Sequence, residues 1–484
     1  MKHRIACNAP RAVLPASLLL AGLLLGGCMV GPDYHTPDAP VPVAFKEAAG
    51  WKAANPQDEL PKGPWWATYQ DRQLDALVAQ VQVSNQNVAQ YAAQYRQAQA
   101  LVRQSRAGLL PSVTASADSS RSASASSTSS TSSASGSSQI SNSHAASLGV
   151  SWELDIWGKL RRTVEQDAAS AQASAATLAS ATLSAQSELA QDYFQLRILD
   201  QRIALYQRTL QGYQRYLNII QNKYDEKIVS RADLSTGRTQ LESARASMLD
   251  LQWQRAQYEH AIALLMGKAP ADFSLAVDDH WAYTVPGIPL GVPSRLLERR
   301  PDIAEAERNM AAANAAIGIA TAAYYPDLTL SASGGYQSST VSNLFSLPNR
   351  VWSIGPSLAG TVLDFGATQA GVEQARAAYD ATVASYRQTV LTGLGEVEDY
   401  LVQLRTLEPE LIARRNSAEA AQDSASVTLD RYDAGVIDYL DVATTQATSL
   451  SEQQTLLSLI GTQLVTSVQL QAALGGSWQG QGAL

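Results

Sequence analysis

Ser147-Leu148-Gly149-Val150-Ser151-Trp152-Glu153-Leu154-Asp155-Ile156-Trp157 decides how the rest of the chain is read. In an extended strand successive side chains point to opposite faces. Leu148, Val150, Trp152, Leu154 and Ile156 therefore share one face, and Ser147, Gly149, Ser151, Glu153 and Asp155 share the other. About ten residues of this alternation is the pattern of a transmembrane β-strand, apolar toward lipid and polar toward a lumen. A half-buried soluble sheet gives the same alternation, so the surrounding sequence must choose between the two.

A counterpart runs from Val351 to Phe365, with Trp352, Ile354, Pro356, Leu358, Gly360 and Val362 on one face. Shorter alternations precede each long one: Val113/Ala115/Ala117 and Leu328/Leu330/Ala332. Two β-hairpins are thus expected, at 111–157 and 325–365. Trp152, Trp157, Trp352, Tyr324, Tyr325 and Tyr336 are placed to form interfacial belts. Between the first pair of strands, about Ser119 to Ser143 is nearly all Ser, Ala and Thr, and reads as an exposed polar loop. Four strands cannot close a membrane barrel, and an open edge in lipid leaves backbone groups unsatisfied. Two chains would give about eight strands and no open pore; three would give about twelve around a polar lumen, so a homotrimer is predicted.

Helical signals fill the remainder. Leu196, Ile203, Leu210, Leu217 and Tyr224 recur every seventh residue, interleaved with Leu199, Tyr206, Tyr213 and Ile220, which is a coiled-coil seam. Val390, Leu394, Val397, Leu401, Leu404 and Leu411 repeat that rhythm later, with Pro409 expected to kink or loosen the helix. A helix from about Lys159 to Tyr224 would be a rod of roughly 100 Å. Second helices over about Arg231–Met266 and Tyr439–Leu474 would close each half as a hairpin. Lys223-Tyr224-Asp225 and Arg431-Tyr432-Asp433 lie 208 positions apart, and Asp233-Leu234 and Asp441-Val442 keep that offset. The chain reads as a tandem repeat.

Of the 484 residues 17% are charged, the formal net charge is −8, and no basic run appears, so nucleic acid is not an expected partner. Both cysteines, Cys7 and Cys28, lie within the first thirty residues, which excludes a disulfide or thiolate metal site further on. Lys2, Arg4 and Arg11 accompany an apolar run of about Val13 to Leu25, too short to span a bilayer and suited to a secretory signal over 1–27. Leu25-Gly26-Gly27-Cys28 resembles a lipobox, which implies cleavage before Cys28 and its acylation. Met29 in place of Asp favours outer-membrane sorting. Loss of 1–27 removes three basic residues and leaves a net charge of −11. No other stretch approaches eighteen consecutive apolar residues. The five histidines have no metal-ligand spacing, and neither a phosphate loop nor GxSxG occurs, so no enzyme and no cofactor is expected. Asp155 and Asp364 occur once per repeat and read as strand-to-helix junctions.

Several strings now stand in order: Cys28-Met29-Val30-Gly31-Pro32-Asp33-Tyr34 with Pro37, Trp65-Trp66 with Leu74, Asp75 and Leu77, Arg299-Arg300-Pro301-Asp302-Ile303, and Arg431-Tyr432-Asp433-Ala434-Gly435. With the duplicated hairpin-and-helix plan, the chain resembles the lipidated branch of the TolC/OprM-type outer-membrane factors. The resemblance implies an α+β membrane protein: a trimeric 12-stranded β-barrel, four strands per chain, continuous with a periplasmic α-helical coiled-coil barrel. Periplasmic helices would occupy 71–110, 158–267, 299–324 and 366–474. An equatorial band would take the lipidated arm 28–70, the linker 268–298 and the tail 475–484.

The partners it implies are a periplasmic adaptor (membrane fusion protein), an inner-membrane efflux pump and outer-membrane lipid, and the cargo is drugs or other small amphipathic compounds. Gly435 matches the family's tip glycine, with Val436 and Ile437 as adaptor contacts; Lys227 holds the aligned place in the first half, followed by Ile228 and Val229. Leu440 and Asp441 match a hydrophobic and an acidic ring closing the periplasmic aperture, while Thr444 stands where many relatives have a second Asp. Asp225, Glu226, Arg431 and Tyr432 are candidates for links between hairpins. A protein-secretion duct of the same architecture and a non-conducting coiled-coil scaffold are the alternatives.

Overall fold

The computed structural model describes residues 29–39, 41–47, 64–124, 139–288 and 299–476. The leader, Cys28, part of the Ser-rich segment, linker residues 289–298 and the tail from 477 lie outside the described residues. Helices are α1 (Arg72–Ser84), α2 (Gln86–Ala107), α3 (Lys159–Asp225), α4 (Arg231–Leu265), α5 (Pro301–Ala322), α6 (Ala367–Asp433) and α7 (Tyr439–Ala473). Strands are β1 (Ser112–Ser124), β2 (Gln139–Leu154), β3 (Asp327–Ser338) and β4 (Arg350–Ala359). Both α3 and α6 have 67 residues and both α4 and α7 have 35. The chain divides into two compact units.

The first unit holds Met1–Pro37, Arg96–Gln172 and Glu307–Ala384. Its centre is an antiparallel sheet in the order β1-β2-β3-β4. Register places like with like: Val113 opposite Val150, Val150 opposite Ala332, Ala332 opposite Ile354. One row over, Trp152 is opposite Leu330 and Leu330 opposite Pro356. Apart from Val351, all four strands therefore put their large apolar residues on a single face, and Leu148, Trp352, Ile354 and Leu358 are exposed there.

Two strands end earlier than their alternation. β2 stops at Leu154 because Asp155 turns to cap α3, accepting from the backbone N–H of Leu160 (2.9 Å) and Arg161 (3.0 Å). β4 stops at Ala359, and Asp364 accepts from Gly366 N–H (3.0 Å) and Thr368 N–H (2.8 Å) at the start of α6. The Ser-rich segment is shorter as a loop than its composition suggests. β1 and β2 pair out to Ser124 and Gln139, with Ser122 Oγ and Ser141 Oγ 2.8 Å apart. Ladder bonds need only backbone, so a polar sequence pairs once a neighbouring register is set.

The second unit holds Asp38–Tyr95, Ala173–Ala306 and Ser385–Leu484. Its core joins Trp65, Trp66, Tyr69, Leu74, Val78 and Val81 to Leu189, Tyr193, Phe194, Trp281, Ile460, Leu464 and Val468. α6 runs unbroken through Pro409, where Leu407 and Leu411 are both buried and hold the two sides of the site in place. α7 is the one described helix long and apolar enough by composition to cross a membrane. Its apolar side is already used, since Ile460, Leu464, Val468 and Leu470 are buried within the unit.

Candidate channel surfaces, arm clasp and helical tips

The sheet has two chemically opposite faces. On β2 the apolar face runs from Leu154 back to Ala146, about 27 Å at ~3.4 Å per residue. Past Ala146 and Ala117 the same face carries His144, Asn142, Ser119 and Arg121, so the apolar band is bounded. Aromatics mark its ends. Trp157 stacks on Tyr325 at 4.5 Å and donates its Nε1–H to Pro326 O at 3.0 Å, while Tyr336 meets Phe345 edge-on at 5.5 Å. The opposite face is built of hydroxyls: Ser116 with Ser147 (2.9 Å) and Ser333 with Ser353 (2.8 Å). At its base Lys159 Nζ lies 3.4 Å from Glu153 and 3.3 Å from Asp327. Such a surface suits water on one side and hydrocarbon on the other.

The segment that follows Cys28 is clasped within the same unit. Val30 N–H donates to Trp157 O (3.0 Å), beside the aromatic stack. Arg162, 1% exposed, donates to the carbonyls of Val30 and Gly31 (3.3 Å each), to Asp33 (2.9 Å) and to Glu165 (2.7 Å). Gly31 has φ +95°, and a Cβ there would fall 2.5 Å from Gly318 Cα, so only glycine fits. Tyr34 donates its hydroxyl to Glu307 at 2.6 Å; burial and that carboxylate push its pKa up. These contacts explain why Val30 to Tyr34 reads as one motif.

Asp71 anchors the second unit's short N-terminal helices. One oxygen caps α1 through Gln73 and Leu74 N–H (2.9 and 3.1 Å), and the other accepts from Tyr193 Oη (2.7 Å) and Trp281 Nε1 (2.9 Å). A buried ionic cluster ties the inter-repeat linker to α3 and α4. Asp200, fully buried, receives Arg197 (2.9 Å) and Arg255 (2.6 Å), which also donate to the carbonyls of Ala276 and Leu275. Arg300 pairs with Asp302 and Glu396 at 2.7 Å each. The sequence reading did not single out Arg162, Asp71 or the Asp200 cluster. Their signal was available: Arg197 and Asp200 interrupt an apolar run in a chain poor in charge, which only paired burial can accommodate.

At the tips, both turns have one construction. Lys227 N–H donates to Tyr224 O (2.9 Å) and Ile228 N–H to Lys223 O (2.8 Å); Gly435 N–H donates to Tyr432 O (2.9 Å) and Val436 N–H to Arg431 O (3.0 Å). This is the helix-ending pattern that requires a left-handed residue, and φ is +58° at Lys227 and +73° at Gly435. A non-glycine residue there costs about 1 kcal/mol or more. Ile228 and Val436 are each 65% exposed. Val229 and Ile437 instead pack on a core shared by both tips, made of Ile220, Leu234, Tyr432, Tyr439, Val442 and Ala443.

The predicted aperture residues separate into two groups. Tyr432 is buried, lies 5.8 Å from Tyr439 and has Lys223 Nζ 4.5 Å over its ring, and its hydroxyl has no hydrogen-bond partner among the described residues. Burial pushes the neighbouring Tyr439 up to about 12. Leu440, Asp441 and Thr444 are exposed at the start of α7, where Thr444 Oγ1 donates to Leu440 O (2.8 Å). Asp225 accepts from Gln221 Nε2 (3.0 Å), and Glu226 and Arg431 are exposed.

Comparison with known proteins agrees with this anatomy. The family model described as outer membrane efflux protein matches residues 77–268 and 292–476. TtgC of Pseudomonas putida, a probable efflux pump outer membrane protein, is 31% identical over 419 residues, 86% of each chain. OpmQ of Pseudomonas putida, a pyoverdine export outer membrane protein, is 30% identical across 91% of this chain and 94% of its own. Among solved structures, the outer-membrane channel OprN superposes with a TM-score of 0.83 at 28% identity, covering 93% of this chain and 99% of OprN. The chain belongs to the outer membrane efflux protein family. It is an outer-membrane efflux channel, and its family is one of transport proteins; neither the secretion duct nor the non-conducting scaffold is favoured.

Proposed function

We propose that three copies of the chain close one passive duct, a twelve-stranded barrel continuous with a coiled-coil helical barrel, through which an inner-membrane pump discharges drugs or other small amphipathic compounds. The observation that carries this is the sheet. It has an apolar face continuous across four strands, a hydroxyl-rich face opposite, and no further strand on β1 or β4 among the described residues. In hydrocarbon those two edges must be paired, and head-to-tail pairing with copies of itself does so without a new element. Residues 111–157 and 325–365 form the barrel hairpins. The helical spans 71–110, 158–267, 299–324 and 366–474 cross the periplasm. The arm 28–70, the linker 268–298 and the tail 475–484 make the equatorial band, and the two halves are a tandem repeat.

Acylated Cys28 anchors the chain in the outer membrane. The clasp on residues 30–34 supports this, because Val30 is held at Trp157, beside the aromatics that end the apolar band. The periplasmic adaptor meets the exposed Ile228 and Val436, with Lys227, Val229, Gly435 and Ile437 shaping the turns. Leu440, Asp441 and Thr444 face the closed aperture. Asp225, Glu226, Arg431 and Tyr432 hold neighbouring hairpins together. A lumen of hydroxyls and few charges passes varied cargo because it binds none tightly.

Planar-bilayer recording of the purified oligomer tests both parts of this reading. Discrete conductance steps are expected, and larger steps from Tyr432→Phe combined with Arg431→Ser. A chain that inserts and never conducts would overturn the duct, and unchanged steps would remove that pair from the aperture.

A further inference from the structure

Arginines that leave the surface of this chain meet a counter-charge. Arg162, Arg197, Arg255, Arg300 and Arg414, all buried or half-buried, each have a carboxylate within 3.4 Å. Arg202 on α3 departs from this pattern. It is half-buried, its Nε donates to Gln454 Oε1 on α7 at 2.6 Å, and its two terminal nitrogens have no hydrogen-bond or ion-pair partner among the described residues. Burial pushes its pKa down, yet a guanidinium stays protonated in a protein. A charge drawn out of water calls for an opposite charge beside it. The space next to Arg202 can hold one. α7 is tied to the α3–α4 hairpin at two levels: Gln454 Nε2 donates back to Arg202 O at 3.4 Å, and Gln240 on α4 donates to Ala443 O at 3.2 Å and accepts from Tyr439 Oη at 3.1 Å. A cavity of about 650 Å³ is lined by Arg202 and Gln454 of one tie and by Gln240 of the other, and its size suits a small molecule. Tyr206, Tyr213, Leu450 and Leu459 supply much of its apolar wall, serine and threonine hydroxyls much of its polar wall, and no Asp or Glu lines it. In a chain with 44 acidic against 36 basic residues, this pocket carries a positive charge that nothing in its walls neutralises.

We propose that this cavity is a binding site for a small organic anion, a carboxylate or sulfonate on an apolar body. Two oxygens of the anion accept from the paired terminal N–H groups of Arg202. The body lies along Leu450, Leu459 and the two tyrosine rings, and any further polar atom meets the hydroxyls. A cation is repelled and a neutral analogue leaves the arginine without its counter-charge, so charge sets the class of ligand. Because the walls come from α3, α4 and α7, an occupant bridges the first helical hairpin to the second and stabilises their contact.

The test uses the full-length chain in detergent at low salt. The probe is para-trifluoromethylbenzoate, with para-trifluoromethylbenzamide as its neutral twin, each followed by fluorine NMR line broadening above a protein-free detergent blank. The benzoate is expected to bind saturably and the benzamide about tenfold more weakly or less, the loss expected when a charge-assisted hydrogen-bond pair is missing. Arg202→Gln should weaken the benzoate by a similar factor and Arg202→Lys by less, while Arg208→Gln, which removes an exposed arginine of the same helix, should change nothing. Ala447→Phe keeps Arg202 and fills the cavity, so it should remove binding whether or not Arg202→Gln folds. Inorganic phosphate at the same concentration should not displace the benzoate. Equal binding of benzoate and benzamide, no saturable binding by the wild-type chain, or full binding in either a folded Arg202→Gln or Ala447→Phe overturns the proposal. Displacement by phosphate would overturn the organic class of the ligand.

Discussion

Asp192 sits half-buried on α3, one helical turn after Glu188. Desolvation first, and the Glu188 carboxylate second, push its pKa up to about 7. The folded chain therefore holds a proton that the unfolded chain releases near pH ~4. The sign follows: the contribution is full below pH ~4 and is lost as pH rises through 7. Asp192→Asn cannot ionise, so it should raise the unfolding midpoint at pH 8 and narrow the gap between pH 8 and pH 4, followed by circular dichroism at 222 nm. An unaltered midpoint at pH 8 would show that Asp192 is already relieved in the folded chain. At this scale the sequence reveals charged residues but not which become buried. Arg162 looks like an ordinary helix-surface residue until the elements around it are placed, whereas Arg197 and Asp200 are marked only by interrupting an apolar run.

At the scale of elements, the helices were legible because their periodicity is long. The seam from Leu196 to Tyr224 predicts α3 to within a residue at its end, and α4 and α7 end one residue before their expected limits. Strand ends were not legible, since alternation in Ile156 or Val362 carries on after the backbone has left the sheet to cap a helix. At Pro409 α6 continues as one helix, with Leu407 and Leu411 buried on either side of it. The two tip turns give a prediction for the element as a unit. Gly435 and Lys227 adopt the same left-handed state, and only Lys227 has a side chain to accommodate there. Gly435→Ala should cost about 1 kcal/mol locally, seen as roughly fivefold faster amide exchange over the second tip with the first unchanged. Unchanged exchange at both would mean that the turn is held by the shared tip core rather than by its own backbone.

For the whole molecule, the central claim is that one sheet face meets lipid and the other meets water inside a closed barrel. The alternation in residues 147–154 was sufficient to assign the faces. It could not show that four strands place those faces in one register, because register is set by pairing between segments far apart in sequence. Neighbouring residues on β3 separate the two environments sharply. Ser331 lies opposite Ser151 and Gly355 on the hydroxyl face, and Leu330 opposite Trp152 and Pro356 on the apolar face. Cys7 and Cys28 are the only native cysteines, and under the proposed processing the first leaves with the leader and the second is acylated, so an introduced thiol can be addressed by itself. Single-channel recording of Ser331→Cys and Leu330→Cys in a planar bilayer, before and after a charged water-soluble thiol reagent, is the most direct measurement. The account predicts that the reagent lowers conductance in Ser331→Cys and leaves Leu330→Cys unchanged. The reverse pattern, or no channel from either, would contradict it.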